Sequence, residues 1–228
     1  MVERKLATRR LLVVGTKVPK PQNDLGSLVK TMIWPGGRVI HRIHLSLYGG
    51  SAFNPGVKGN ARFSPIQNAA GASIPTLYGG TTFDCAAMET VFHDVSFAPG
   101  LKTFDKAKLT EQVYSTVTCQ RDLVLVDLSS TALRSLGIRR GELIDTEKDQ
   151  YPGTRKWAEA IHAQCPAIEG LCWVSRQDDR ARAVVLFGDR IPTTDLVLAS
   201  ASRSILDDAD LYSDLLALAE RIGVNVAG

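Results

Sequence analysis

Residues 46–75 constrain the fold more than any other part of the chain. They carry Tyr48-Gly49-Gly50, Asn54-Pro55-Gly56, Lys58-Gly59-Asn60 and Ser64-Pro65, four turn signals with no sustained helical or alternating run. Before them, Arg38-Val39-Ile40-His41-Arg42-Ile43-His44-Leu45 alternates and is β-branched, which predicts a strand. After them, Thr76-Leu77-Tyr78-Gly79-Gly80 predicts a short strand ending in glycines. Residues 82–94 then follow a helical period, with Phe83, Ala86, Ala87, Thr90 and Val91 on one face. Thr81 or Thr82 can cap that helix, and Asp84 suits its first turn. A segment of this length without regular structure, inside a compact domain, points to function.

The remaining chain mixes strands and helices irregularly. Strands are predicted over 113–119, 123–128, 170–175, 182–187 and 195–198. A short helix capped by Ser129 or Ser130 ends at Gly137, and Thr154 is expected to cap a helix over 155–164 that Pro166 terminates. A last helix over 206–222 carries an apolar stripe of Leu211, Leu215, Leu218 and Ile222. No internal repeat is found. The expected class is therefore α+β, with mainly antiparallel sheets flanked by helices. Three units are expected: an N-terminal extension over 1–35, a principal domain over 36–200, and a C-terminal helical segment over 201–228 packed on that domain or on a partner. The extension opens with Arg4, Lys5, Arg9 and Arg10, a run that reads as a solvated face or docking segment.

Composition excludes several classes. Hydrophobic residues make up 44% of the chain and charged ones 22%, which suits a globular protein with a real core. The net charge of +3 is too mild to argue for nucleic acid without clustering. The four cysteines, at 85, 119, 165 and 172, show no Cys-x-x-Cys spacing, so zinc and thioredoxin chemistry have no support. No apolar run reaches 18 residues, and Leu11–Gly15 is too short for a signal-peptide core; the expected location is the cytoplasm, with no membrane contact.

The polar residues that draw attention are Arg42, Arg62, Tyr78, Glu89, His93 and Ser175. Glu89 and His93 are four apart, so a helix would place both on one face, as a metal pair, an acid–base pair or an exposed pair. The metal alternative lacks a third ligand. His41 and His44 point to opposite faces of a strand and cannot chelate together. Arg62, in a loop of small residues, is either a fork for phosphate or carboxylate or a structural salt-bridge partner. Tyr78 can stack on a flat ring or simply pack. Ser175 lacks the nucleophile-elbow context, and no phosphate-binding loop or Gly-x-Gly-x-x-Gly run is present.

Taken in order, His41-Arg42-Ile43, Ala61-Arg62-Phe63-Ser64-Pro65, Leu77-Tyr78-Gly79-Gly80, Ala86 to His93, Trp173-Val174-Ser175-Arg176 and Val184 to Arg190 resemble the RES domain family, named for its Arg, Glu and Ser. The likeness runs from about residue 36 to 192. Ile43 stands where some relatives carry a tyrosine, Phe63 replaces the usual tryptophan, and Ile66 to Pro75 looks like an insertion.

The resemblance implies an ADP-ribosyltransferase-like fold. It implies NAD+ as substrate, with no other cofactor and no metal. The implied activity is cleavage of the nicotinamide–ribose bond with phosphate or water as acceptor, by a toxin that an Xre-like antitoxin neutralises. Protein mono-ADP-ribosylation and a silent NAD-binding module are the alternatives. In this scheme Glu89 meets the charge developing on the ribose, and Arg42 and Arg62 hold the pyrophosphate. Tyr78 stacks on the nicotinamide or shapes its pocket, Ser175 bonds the nicotinamide amide or a ribose hydroxyl, and His93 orients the carboxylate or the acceptor. No direct nucleic-acid contact is expected, because the antitoxin supplies DNA binding in such pairs. The C-terminal stripe is expected to dock on its own domain, on a second copy or on the antitoxin.

Overall fold

A computed structural model describes residues 17–228, so the basic cluster Arg4, Lys5, Arg9 and Arg10 lies outside the described residues. The described residues open with α1 (Leu25–Leu28), β1 (Thr31–Trp34) and β2 (Ile40–Leu45), followed by the long loop. Out of that loop come the short strands β3 (Ile66–Gln67) and β4 (Ser73–Ile74), then β5 (Thr76–Gly80) and α2 (Phe83–Thr90). The middle holds β6 (Lys102–Asp105), β7 (Gln112–Cys119), β8 (Leu123–Asp127), α3 (Arg140–Leu143) and α4 (Tyr151–Gln164). The last part holds β9 (Gly170–Val174), β10 (Arg182–Phe187), β11 (Leu196–Leu198), β12 (Arg203–Ser204), α5 (Ala209–Arg221) and β13 (Val224–Ala227).

Nine strands form one sheet in the order β1-β8-β9-β10-β5-β2-β7-β11, with β12 also on β7. All its pairings are antiparallel except β8 with β9. The mixed α+β class expected from the sequence is the one found. One core cluster joins Phe63, Val126, Ile161, Leu171 and Trp173 beneath α4. A second joins Ile43, Ala87, Phe92, Tyr114, Leu215 and Leu218 between the sheet, α2 and α5. Among the described residues, no helix is long and apolar enough to cross a membrane.

The structure fills in several local expectations and corrects one, the Thr154 cap. Residues 17–34 are built into the domain rather than set apart from it. Val18, Leu25 and Trp34 are buried, β1 pairs with β8, and Trp157 Nε1 donates to the Pro19 carbonyl at 2.7 Å. Residues 66–75, expected as an insertion, form a small hairpin of β3 and β4, and Ile66 and Ile74 are fully buried in the α4 core. Thr154 is not a cap. Pro152 sits in the first turn of α4, where its missing N–H costs nothing, and the helix begins at Tyr151. The apolar stripe of α5 packs on the chain's own α2 and sheet through Leu211, Leu215 and Leu218, with Asp208 capping the helix.

Candidate active site

The double glycine at the end of β5 sets the position of α2. A Cβ on Gly79 would lie 2.3 Å from Ile40 Cγ2, and one on Gly80 would lie 2.6 Å from Cys85 Sγ. Only glycine lets β5 come this close to β2 and lets the helix fold straight back over it. Thr82 then caps α2 by accepting from the Cys85 N–H at 3.0 Å, as its sequence position suggests. Glu89 sits in the last turn of this helix and faces a cavity of about 380 Å³. The same cavity is lined by Arg42, Arg62, Tyr78 and His93, so five of the six candidate residues converge there.

The two arginines arrive from different elements. Arg42 lies on β2, 6% exposed, and its Nη1 donates to the Gly50 carbonyl at 2.6 Å and the Ala52 carbonyl at 3.0 Å. It thereby folds the start of the long loop against the sheet. Its Nε has no partner, and burial lowers its pKa to about 10. Arg62 comes from the loop itself and is 3% exposed. Its backbone carbonyl accepts from Thr154 Oγ1, and its guanidinium lies 5.5 Å from the centroid of the Tyr151 ring. Its Nη1 is 4.0 Å from Glu89 Oε2, while Nε and Nη2 are buried without a partner. Buried charged donors left unpaired are costly, so this wall suits an anion.

Ser175 has a different position from the one expected. It is fully buried behind the Glu89 wall. Its hydroxyl donates to Glu89 Oε1 at 2.7 Å and accepts from the N–H groups of Gln177 at 3.0 Å and Asp178 at 3.2 Å. One donor and two acceptor positions are thus all filled, and none is left for a ligand. Ser175 holds the carboxylate, and a substrate contact through its hydroxyl does not fit.

His93 lies beyond the helix, which ends at Thr90 with the Phe92 N–H bonded to the Ala87 carbonyl, yet it lines the same cavity as Glu89. Its ring nitrogens face Asp94 Oδ1 and the Tyr151 hydroxyl, each at 2.9 Å. Burial works against the Asp94 carboxylate, but Lys148 at 2.6 Å and His93 keep its pKa below the ordinary value. Tyr78 lines the cavity with its ring edge-on to Trp173, 6.3 Å between centroids, and its hydroxyl accepts from the Phe63 N–H at 2.9 Å. Burial pushes the Tyr78 phenol well above its usual range. The two single-residue departures noted in the sequence are both core residues: Ile43 packs against α2, and Phe63 packs edge-on to Trp173 at 5.1 Å.

Three contributors were not singled out from the sequence. Tyr151 joins Arg62 and His93 from the start of α4, and nothing local in the sequence marks it. Trp173 lines the cavity with its Nε1–H buried and unpartnered, two residues before Ser175 in the same motif. His44 lies two residues after Arg42, so alternation puts both on one side of the strand, and it too lines the cavity. Its Nε2 meets Ser115 Oγ at 2.8 Å, and burial, with Arg42 adding to it, lowers its pKa. His41 does point the other way, toward the Tyr114 hydroxyl at 2.6 Å.

The sequence model of the RES domain matches residues 39–208. No curated protein matches the chain. Among solved structures, a chain of the Mycobacterium tuberculosis MbcT–MbcA toxin–antitoxin complex is similar in fold. The TM-score is 0.59 at 15% identity, over 82% of this chain and 92% of that one.

Proposed function

This chain belongs to the RES domain family, and on that premise we propose that it cleaves the nicotinamide–ribose bond of NAD+, with phosphate or water as acceptor. The observation that carries this is one cavity in which a fixed carboxylate faces buried arginines with unpartnered donors. The C–N bond breaks with its electron pair going to nicotinamide, which leaves neutral because its ring was cationic. No proton is needed at the leaving group. Positive charge builds on the ribose, and Glu89 Oε2, the oxygen not bonded to Ser175, is free to face it. Arg62 and Arg42 supply charge-assisted donors to the pyrophosphate. The acceptor oxygen then bonds to the anomeric carbon; phosphate gives a sugar phosphate, and water gives ADP-ribose and releases a proton.

The same proposal makes the protein a toxin held in check by an Xre-like antitoxin, a reading supported by its likeness in fold to a chain from a toxin–antitoxin complex. The test is direct. Pure protein is incubated with NAD+, with and without phosphate, and products are identified by mass. Phosphorolysis gives ADP-ribose phosphate only when phosphate is present, and hydrolysis gives ADP-ribose in both. ADP-ribose attached to protein would move the activity to group transfer, and intact NAD+ would remove it.

A further inference from the structure

A second cavity of about 470 Å³ adjoins the candidate active site. The two share Thr90, Asp94 and Gln112 in their walls, so they lie side by side. The far part has its own chemistry. Lys102 and Lys108 line it, and among the described residues neither meets a carboxylate; the one acidic residue in the wall, Asp94, is already paired with Lys148. Val91, Val95, Leu109 and the Phe104 ring supply apolar surface. Lys108 Nζ lies 5.6 Å from the centroid of that ring. At the junction of the two cavities, Gln112 Oε1 is buried with no hydrogen-bond partner. A buried acceptor of this kind calls for a donor.

Two uncompensated cations, an apolar wall with an aromatic ring, and a lone acceptor match a nucleoside monophosphate. Its phosphate answers the lysines, its base the apolar wall, and a ribose hydroxyl or exocyclic amine the Gln112 oxygen. Inorganic phosphate alone would leave the apolar wall without a role. We propose that this second cavity binds the adenosine monophosphate half of the dinucleotide, with the nicotinamide half beside Glu89, an assignment that rests on NAD+ being the substrate. Arg42 and Arg62 would then stand toward the linking phosphates.

The experiment is calorimetric titration of the full chain with adenosine monophosphate, nicotinamide mononucleotide and inorganic phosphate, in three proteins: wild type, Lys102→Ala/Lys108→Ala, and Gln112→Met. The wild type should bind adenosine monophosphate. The double variant should bind it about tenfold more weakly or worse, with nicotinamide mononucleotide unaffected, and Gln112→Met should bind adenosine monophosphate several-fold more weakly. Equal affinity for adenosine monophosphate in wild type and double variant, both folded by circular dichroism, would overturn the assignment. So would inorganic phosphate binding as tightly as adenosine monophosphate, since the base would then contribute nothing. NAD+ cleavage with an unchanged KM in the double variant would sink this subsite while leaving the cleavage reaction intact. Adenosine monophosphate binding with the expected losses, but without NAD+ cleavage, would support the subsite and sink the reaction.

Discussion

The two walls of the cavity are built on opposite plans. On the carboxylate side, Glu89 is held by Ser175, whose hydroxyl is in turn fixed by two backbone N–H groups. Every hydrogen-bonding position of that serine is filled by the protein. On the guanidinium side, Arg42 Nε and Arg62 Nε and Nη2 are buried with no partner at all. The first wall is complete without a ligand; the second is complete only with an anion. Such a division suits a site that must bind a phosphate group yet present a rigid carboxylate to a charge that appears only in the transition state.

The contrast predicts effects of different size and kind. Glu89→Gln keeps the shape and loses the charge. Turnover of NAD+ should fall by at least ~100-fold with little change in folding, as expected for a lost electrostatic contact in the transition state. A Gln variant that cleaves at the wild-type rate would mean that this wall does not meet the reacting sugar. Ser175→Ala should act next most strongly, through Glu89. Loss of one hold on the carboxylate and of an acceptor for two N–H groups should lower kcat roughly tenfold or more and cost about 1–3 kcal/mol of stability. The expected signature is a fall in kcat with KM nearly constant; a rise in KM alone would return Ser175 to the role of a ligand contact.

The guanidinium wall should respond in the other parameter. Arg62→Ala should weaken NAD+ binding by about tenfold, with charge-assisted bonds removed, and added salt should imitate part of that loss. Calorimetry showing unchanged affinity would make Arg62 a structural partner of Glu89 and Tyr151. The smallest effect concerns pH. Burial lowers the folded-state pKa of His44 below its ordinary 6.5, so the unfolded chain takes up the proton first. The stability from neutral His44 is therefore present above pH 6.5 and is lost as the pH falls below it toward the depressed value. Urea unfolding of wild type and His44→Gln between pH 7.5 and 5.5 should show a shallower decline in the variant. Parallel curves would show that His44 does not contribute to the slope.

The sequence made one wall more legible than the other. The run Gly79-Gly80 to Glu89 announces its geometry, because a tight strand end, a capping threonine and an amphipathic period are all local. The central strands were legible for the same reason: alternation and β-branching in β2, β7, β8 and β10 need no knowledge of their partners. What could not be read was set by distant partners. The Ser175 hydroxyl answers Glu89 across 86 residues, and no spacing rule reports that. His93 does reach the Glu89 cavity, but its partners were not legible: α2 stops at Thr90, and the ring meets Asp94 and the distant Tyr151. Thr154 resembled a cap because a short polar residue precedes a helical run, yet its hydroxyl ties Arg62 to α4. The strands β1, β6 and β13 lack strong alternation and exist through pairing with remote segments, β13 in parallel with β6 across more than a hundred residues.

The segment before β2 has a consequence for the order of events at the ribosome. The Pro19 carbonyl waits for Trp157, 138 residues later, and Thr31–Trp34 waits for Leu123–Val126. Residues 19–34 thus emerge long before the neighbours they pack on, and contacts of such long separation slow folding. Glu89 likewise has no holder until Ser175 has been made. A nascent chain that stops short of β9 therefore carries the carboxylate and both arginines but cannot yet assemble them. The cavity closes only after Ser175 has been made, 86 residues beyond Glu89, a delay that follows from topology alone.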